Sequence, residues 1–328
     1  MFLGIDGGGT KTAFALVDET GRVLARHQEG SLYHLEIGLD GVQATLARGI
    51  AATLAKAGLA PAALRGAWVG LPAFGEDSRV QARLASLPAL CLPGVPTGCG
   101  NDMACSRAGS LAGEDGIGIV AGTGSMACGA FEGRTVRVGG WGELFGDEGS
   151  AYWIAREGLS LFSRMSDGRE PRGPLHAMLR ERLALDDDLD LCGIVLGGAG
   201  NGGGARSDVA SYARHVHEAA LAGDAAARHV FERAADELAG LVFATRTALR
   251  VPAERRLPVS YSGGVLDKGG LALGFLRAAL DAGPGAFELR RPVMSPVLGA
   301  VCLAAAEAGT PLSREATSRL AEAGGVAA

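Results

Sequence analysis

The chain alternates between short apolar runs that stop at glycine and longer stretches with apolar side chains at helical spacing. Leu3-Gly4-Ile5 runs into Asp6-Gly7-Gly8-Gly9-Thr10-Lys11-Thr12, residues 13–17 form a second apolar run, and Val23-Leu24-Ala25 a third after a polar turn. That order predicts strand, glycine turn, strand, polar turn, strand: an antiparallel meander. Val42, Leu46, Ile50 and Leu54 then recur at helical spacing over 40–58 and stop at Gly58. Ala67-Trp68-Val69-Gly70-Leu71 predicts a short buried strand, 76–87 a helix, and the Pro/Gly-rich stretch 88–100 a loop with room for one strand.

The opening pattern returns about 115 residues later. Residues 116–121 predict a strand, Gly122-Thr123-Gly124-Ser125 a glycine turn, 126–131 a second strand and 135–138 a third. Two matched units, each presenting a glycine turn, suggest two lobes facing one ligand. The C-terminal half reads as helices over 150–166, 174–184, 206–222 and 225–250. A strand follows at 257–262 and runs into Gly263-Gly264, then a helix over 268–281, a strand at 286–290, a helical region over 296–308 and a last helix. The alternation places the chain in the α/β class.

Composition narrows the field. At 328 residues the chain has the length of two domains, and 48% apolar residues argue against disorder. No stretch reaches the roughly 18 uncharged apolar residues of a spanning helix, so no membrane partner is expected. Asp6 interrupts the N-terminus before a secretory core can develop. Six cysteines lie scattered without a CxxC pair, which suggests reduced thiols and a cytoplasmic protein. The net charge of −5 is spread along the chain with no basic run, so no nucleic-acid partner is expected. The unusual quantity is 52 glycines, about one residue in six against a usual ~7%.

Neither glycine turn fits the common phosphate motifs. Gly4-x4-Gly9 has Thr10 where a P-loop needs lysine, and Gly122-x-Gly124 lacks the third glycine of a dinucleotide fingerprint. In both cases a strand follows instead of a helix, so both are hairpin tips. Successive glycines at a tip can point several backbone N–H groups into one concavity that takes anionic oxygens, or can be turns and no more. The hydroxyls of Thr10, Thr12, Thr123 and Ser125 would add donors. Asp6, at the strand end, can hold a hydrated Mg²⁺ or cap its own turn. Asp102, after Asn101 and before a short helix, can serve as a general base or as a helix N-cap.

Taken in order, Asp6-Gly7-Gly8-Gly9-Thr10, Gly122-Thr123-Gly124-Ser125 and Ser262-Gly263-Gly264-Val265 resemble the phosphate and adenosine segments of the ATPase superfamily of actin, hexokinase and the heat-shock ATPases. Gly139-Gly140-Trp141-Gly142-Glu143-Leu144-Phe145-Gly146-Asp147-Glu148-Gly149-Ser150-Ala151-Tyr152-Trp153 is similar to the signature of its N-acetylglucosamine kinase branch, grouped with the BadF/BadG/BcrA/BcrD ATPases. The resemblance spans essentially the whole chain, loosely between 166 and 255. It implies two ribonuclease-H-like, actin-like ATPase lobes with an ATP cleft between them, the first holding 1–112 plus 308–328 and the second 113–307. It implies an ATP-dependent kinase acting on the primary hydroxyl of an amino sugar, with Mg²⁺ as cofactor, and a homodimer. Gly8, Gly9, Thr10, Lys11, Thr12, Gly122, Thr123, Gly124, Ser125, Gly263 and Gly264 would hold ATP, and Asp6 the metal. Asp102 would be the catalytic base, and His34, Asp102, Gly140, Trp141, Asp147 and Ala151 would meet the sugar. Trp141 can stack on a sugar face or pack in the core.

Two positions depart from the family. Tyr33 stands where an asparagine faces the sugar in the eukaryotic kinases, and Met126 where an asparagine follows the second glycine turn. Two polar sugar contacts are thus absent, which leaves the particular amino sugar open. An alternative within the same superfamily is an ATPase that couples hydrolysis to a partner protein, or a sugar-sensing regulator. The glycine run at 197–204 reads as a surface loop and Asp186-Asp187-Asp188 as a solvated turn.

Overall fold

The computed structural model describes residues 1–197, 205–267 and 270–324. The glycine run read as a surface loop falls, from 198 to 204, outside the described residues. The chain divides into two compact units, Met1–Gly118 with Arg290–Ala328, and Ile119–Leu289.

In the first unit β1 (Phe2–Gly7), β2 (Thr12–Val17) and β3 (Val23–Glu29) form the antiparallel meander expected from the sequence. Then come α1 (His34–Ala57), β4 (Gly66–Leu71), α2 (Ser78–Cys91), β5 (Thr97–Asn101) and α3 (Asp102–Ser110). β4 pairs parallel with β1 and β5 parallel with β4, giving the order β3-β2-β1-β4-β5. β5 is the one strand hidden in the Pro/Gly-rich stretch, and its last residue delivers Asn101-Asp102 to the C-terminal edge of the sheet. A short helical turn at 34–37 precedes the part of α1 that the apolar spacing indicated, and Gly38 at φ 69° kinks the chain between the two. The far end of α1 is where the sequence put it, at Gly58 in the left-handed conformation.

The second unit repeats the plan. β6 (Gly116–Ala121), β7 (Ser125–Phe131) and β8 (Arg134–Gly139) are followed by α4 (Ala151–Ser166), α5 (Pro174–Arg182), α6 (Asp190–Gly197), α7 (Arg206–Ser211), α8 (Ala213–Leu221) and α9 (Ala225–Ala248). The helix expected over 206–222 is thus two helices, meeting at a tight turn in which Tyr212 N–H donates to Val209 O. β9 (Leu257–Ser262), α10 (Leu271–Ala282) and β10 (Phe287–Arg290) complete the unit, with sheet order β10-β9-β6-β7-β8. Asp188 is no solvated turn residue. Its carboxylate lies 2.9 Å from His176 Nε2 and accepts from Arg180 at 2.5 Å, tying down α5.

α11 (Pro296–Glu307) and α12 (Arg314–Ala323) return to the first unit. The sequence drew the division at 112/113 and 307/308, whereas the compact units divide at 118/119, inside β6, and at 289/290, so that α11 falls in the first unit. α11 packs on β1, β4 and α3, and glycines make the approach possible. A Cβ at Gly4 would lie 2.5 Å from Val297 O, and one at Gly299 would lie 2.1 Å from Gly109 N. Alternate residues of β1 serve the two faces of the sheet. Leu3 and Ile5 join Val42, Leu46, Ile50 and Leu54 of α1, while Phe2 joins Leu298 and Val301 of α11 and Leu320 of α12. Among the described residues no helix is long and apolar enough to cross a membrane.

Candidate active site

The first glycine tip closes with Gly8 N–H donating to Lys11 O at 3.0 Å. Gly7 is wedged beneath it, where a Cβ would come within 2.6 Å of Gly70 O. Gly9 has open space where its side chain would be, so the tip is free to approach a ligand with backbone alone. Gly9, Thr10 and Lys11 are exposed. Thr12 differs: its side chain is fully buried and its hydroxyl donates to Gly30 O at 2.7 Å. That hydroxyl ties β2 to the loop after β3 and is not the phosphate donor expected from the sequence.

A cavity of about 370 Å³ lies beside this tip, lined by Asp6, residues 7–11, Asp102, Met103, Ser106 and Pro296. All of these belong to the first unit. The structure thus brings Asp6, the first glycine turn and Asp102 together. Asp6 pairs in register with Gly70 of β4, and a Cβ on Gly70 would lie 3.2 Å from Asp102 Cα. Burial, reinforced by the Asp102 charge and opposed by Lys11, pushes the Asp6 carboxyl up to about 7. The cap of α3 is Asn101, whose Oδ1 accepts from Met103 N–H at 3.0 Å. Asp102 is the first helical residue, and its own Oδ1 shares the same donor at 3.0 Å. Capping alone does not require it.

The second glycine turn is bound to the start of α4. Ala151 N–H donates to Gly122 O at 2.8 Å, Tyr152 N–H to Thr123 O at 3.4 Å, and the Ser125 hydroxyl to Glu148 O at 2.6 Å. The Ser125 donor and the Ala151 amide, both expected at a ligand, are thus engaged within the protein. Thr123 remains exposed. Gly263 sits against this turn at φ 95°, where a Cβ would meet Ala121 O at 2.4 Å; Gly264 beside it is exposed. The structure therefore joins 122–125 with 263–264 in the second unit.

The signature segment surrounds Asp147, which is 3% exposed and has φ 56°, a conformation rare outside glycine but open to aspartate. Its carboxylate accepts from the Arg206 guanidinium, and the backbone N–H groups of Ser125 and Gly142 also favour its ionised form. Burial outweighs these donors and raises the Asp147 pKa. Arg206 also reaches Glu143, Nε to Oε2, at 3.2 Å. Gly124 is bare so that this pair can lie over it: a Cβ there would be 2.7 Å from Asp147 Oδ2. Sequence reasoning missed Arg206 altogether, since no motif surrounds it. Trp141 is 73% exposed, which removes the core-packing alternative. Gly140, at φ 71°, has its carbonyl accepting from Arg137 at 2.6 Å, and Met126 packs where a Gly140 side chain would stand.

His34 is buried at the start of α1 with both ring nitrogens lacking a hydrogen-bond partner. The 370 Å³ cavity does not reach it. Among the described residues no cluster of three or more His, Cys, Asp or Glu could cage a metal ion. Mg²⁺ needs no such cage, because one or two carboxylates, waters and substrate phosphates complete its shell. A carboxylate pushed towards protonation first by burial and then by a neighbouring carboxylate is a donor set that a divalent cation would relieve, so Asp6 beside Asp102 fits it.

A family model described as the BadF/BadG/BcrA/BcrD ATPase family matches residues 3–304. The N-acetyl-D-glucosamine kinase of Dictyostelium discoideum is 28% identical over 314 residues, covering 93% of this chain and 97% of that protein. An N-acetylmuramic acid/N-acetylglucosamine kinase of Clostridium acetobutylicum is 30% identical over 168 residues, 51% of this chain and 53% of that one. A solved structure from Chromobacterium violaceum, provisionally assigned as an N-acetylglucosamine kinase, superposes with a TM-score of 0.64 at 25% identity, covering 92% of this chain and 98% of that one. The expected pair of ribonuclease-H-like α/β units agrees with that likeness. With the match running almost from end to end, the chain belongs to the BadF/BadG/BcrA/BcrD ATPase family.

Proposed function

We propose that the protein transfers the γ-phosphoryl group of ATP to the primary hydroxyl of an amino sugar. The observation that carries this reading is the joining of Asp6, the glycine tip and Asp102 around one cavity. Phosphoryl transfer to an alcohol needs a phosphate cradle, a charge-neutralising cation and a carboxylate that accepts the hydroxyl proton. The N–H groups of Gly9 and Thr10 bind phosphate oxygens, with the Lys11 ammonium beside them. Asp6 holds Mg²⁺ or its hydration shell, and the ion when bound would neutralise charge on the transferring phosphate. Asp102 takes the proton from the sugar hydroxyl as its oxygen forms the new bond to phosphorus and the bond to the ADP oxygen breaks. Gly122, Thr123, Gly263 and Gly264 serve the nucleotide through backbone and the Thr123 hydroxyl. Asp147, Trp141, the Gly140 backbone and His34 serve the sugar.

The names of the relatives support an amino sugar. Tyr33 and Met126 support a preference among amino sugars that differs from that of the eukaryotic kinases. The test is ATP consumption with N-acetylglucosamine, glucosamine, N-acetylmannosamine, muramic-type sugars and glucose as candidates. At least one amino sugar should show a far higher kcat/KM than glucose. Equal, near-background rates on all five would leave an ATPase that answers to a partner protein instead.

A further inference from the structure

Asp147 and Arg206 lie 59 residues apart in sequence, yet α7 brings the guanidinium onto a carboxylate that is 3% exposed. A buried carboxylate without a counter-charge is costly and tends to take up a proton. A protonated carboxyl has lost an acceptor site to its own hydrogen, which weakens its grip on hydroxyl donors. The charged groups that act on Asp147 most strongly are Arg206 on α7, which favours ionisation, and Glu143 in its own loop, which opposes it. Arg206 spans both, so one guanidinium offsets the burial of Asp147 and the repulsion from Glu143. Gly124 leaves the space this requires.

A carboxylate can accept from a guanidinium and from a ligand hydroxyl at the same time, so the pair need not break for a ligand to bind. A carboxylate offers about four acceptor sites. The Arg206 guanidinium engages Oδ2, which leaves acceptor capacity on the carboxylate for a hydroxyl. We propose that Arg206 is a positioning residue for the sugar, keeping the Asp147 carboxylate charged and aimed so that it accepts a sugar hydroxyl. The proposal rests on the sugar-kinase reading for its substrate. The coupling of the two side chains does not depend on that reading.

The experiment compares wild type with Arg206→Met, Arg206→Lys and the double variant Asp147→Asn/Arg206→Met. Without sugar, thermal unfolding is followed from pH 5 to 8. In Arg206→Met the buried carboxylate is held protonated in the fold more strongly than in the unfolded chain. Its stability should therefore fall further below wild type as pH rises, and converge towards acid pH. The double variant should lose that pH dependence, and Arg206→Lys should recover part of the deficit. A stability difference that is constant with pH overturns the proposal. With the sugar that wild type uses best, Arg206→Met should raise KM at least tenfold, by more than it lowers kcat, and more at pH 6 than at pH 8. A sugar KM within twofold of wild type at both pH values overturns it as well. Should Arg206→Met fold poorly at pH 8, the same comparison is made with Arg206→Lys, whose KM must then lie above wild type. If wild type turns over no sugar, the sugar-kinase reading fails, and the unfolding profiles still decide whether Arg206 holds the Asp147 charge.

Discussion

Asp6 at the end of β1 and Asp102 at the start of α3 meet across Gly70, a position without a side chain. Asp6 pairs in register with Gly70, and a Cβ there would stand 3.2 Å from Asp102 Cα. Any larger residue at 70 would push the helix and its carboxylate off the sheet, so the two acids share a cavity because β4 is bare at that point.

Asp102→Asn isolates the proton acceptor. Asn101 keeps capping α3, and asparagine at 102 keeps the shape of the site. The expected result is a loss in kcat of about 10²–10⁴-fold, the usual worth of general-base catalysis, with a smaller change in sugar KM. Steady-state kinetics of the folded variant checks it, and near-wild-type kcat would remove Asp102 from the mechanism.

Asp6 gives a pH signature. Its folded carboxyl is pushed up to about 7 from an ordinary 3.8, so the fold holds this proton where the unfolded chain has released it. The contribution to stability is complete below about pH 4 and is lost as pH rises towards 7. Metal-free wild type should thus lose thermal stability across that window, and Asp6→Asn should lack this part of the loss. Mg²⁺ should stabilise wild type most at the upper end, where the carboxylate is ionised. Calorimetric profiles that coincide for the two proteins from pH 4 to 7 would contradict the assignment.

Gly9 tests the phosphate tip without disturbing the fold. Beyond its two chain neighbours, no protein atom lies within 4 Å of its missing Cβ, so Gly9→Val should melt close to wild type. A branched side chain at the tip keeps phosphate oxygens from the backbone, and KM for ATP should rise tenfold or more. An unchanged ATP KM would mean that the tip is a turn and no more.

Trp141 is 73% exposed, so its removal should cost little stability. If it stacks on the sugar, Trp141→Ala should raise sugar KM about 2- to 10-fold, from the ~0.5–1.5 kcal/mol of an aromatic contact. ATP KM should stay as it is. Titration of the sugar against intrinsic tryptophan fluorescence gives a second readout, since the indole signal should change on binding in wild type.

The sequence was legible where structure is local. Each strand–glycine turn–strand unit could be read because apolar alternation and consecutive glycines specify a hairpin within a dozen residues, and Gly58 marked the end of α1 for the same reason. What escaped depends on packing between distant segments. A hydroxyl's neighbours cannot be read from its place in a motif, so Thr12 and Ser125 passed for phosphate donors, although Gly30 O and Glu148 O hold them. α11 was visible as a helix, but not its return to the first sheet over Gly4 and Gly66. Arg206 had no signal, because its meaning comes from Asp147, 59 residues earlier.

Phosphate accounting with the best amino sugar tests the central claim most directly. ATP labelled in its γ-phosphoryl group is incubated with enzyme, Mg²⁺ and the sugar, and the label is followed by phosphorus NMR. The account predicts one sugar phosphate per ADP formed, esterified at the primary hydroxyl, with little inorganic phosphate. Label that appears as inorganic phosphate at the same rate with and without sugar would contradict it.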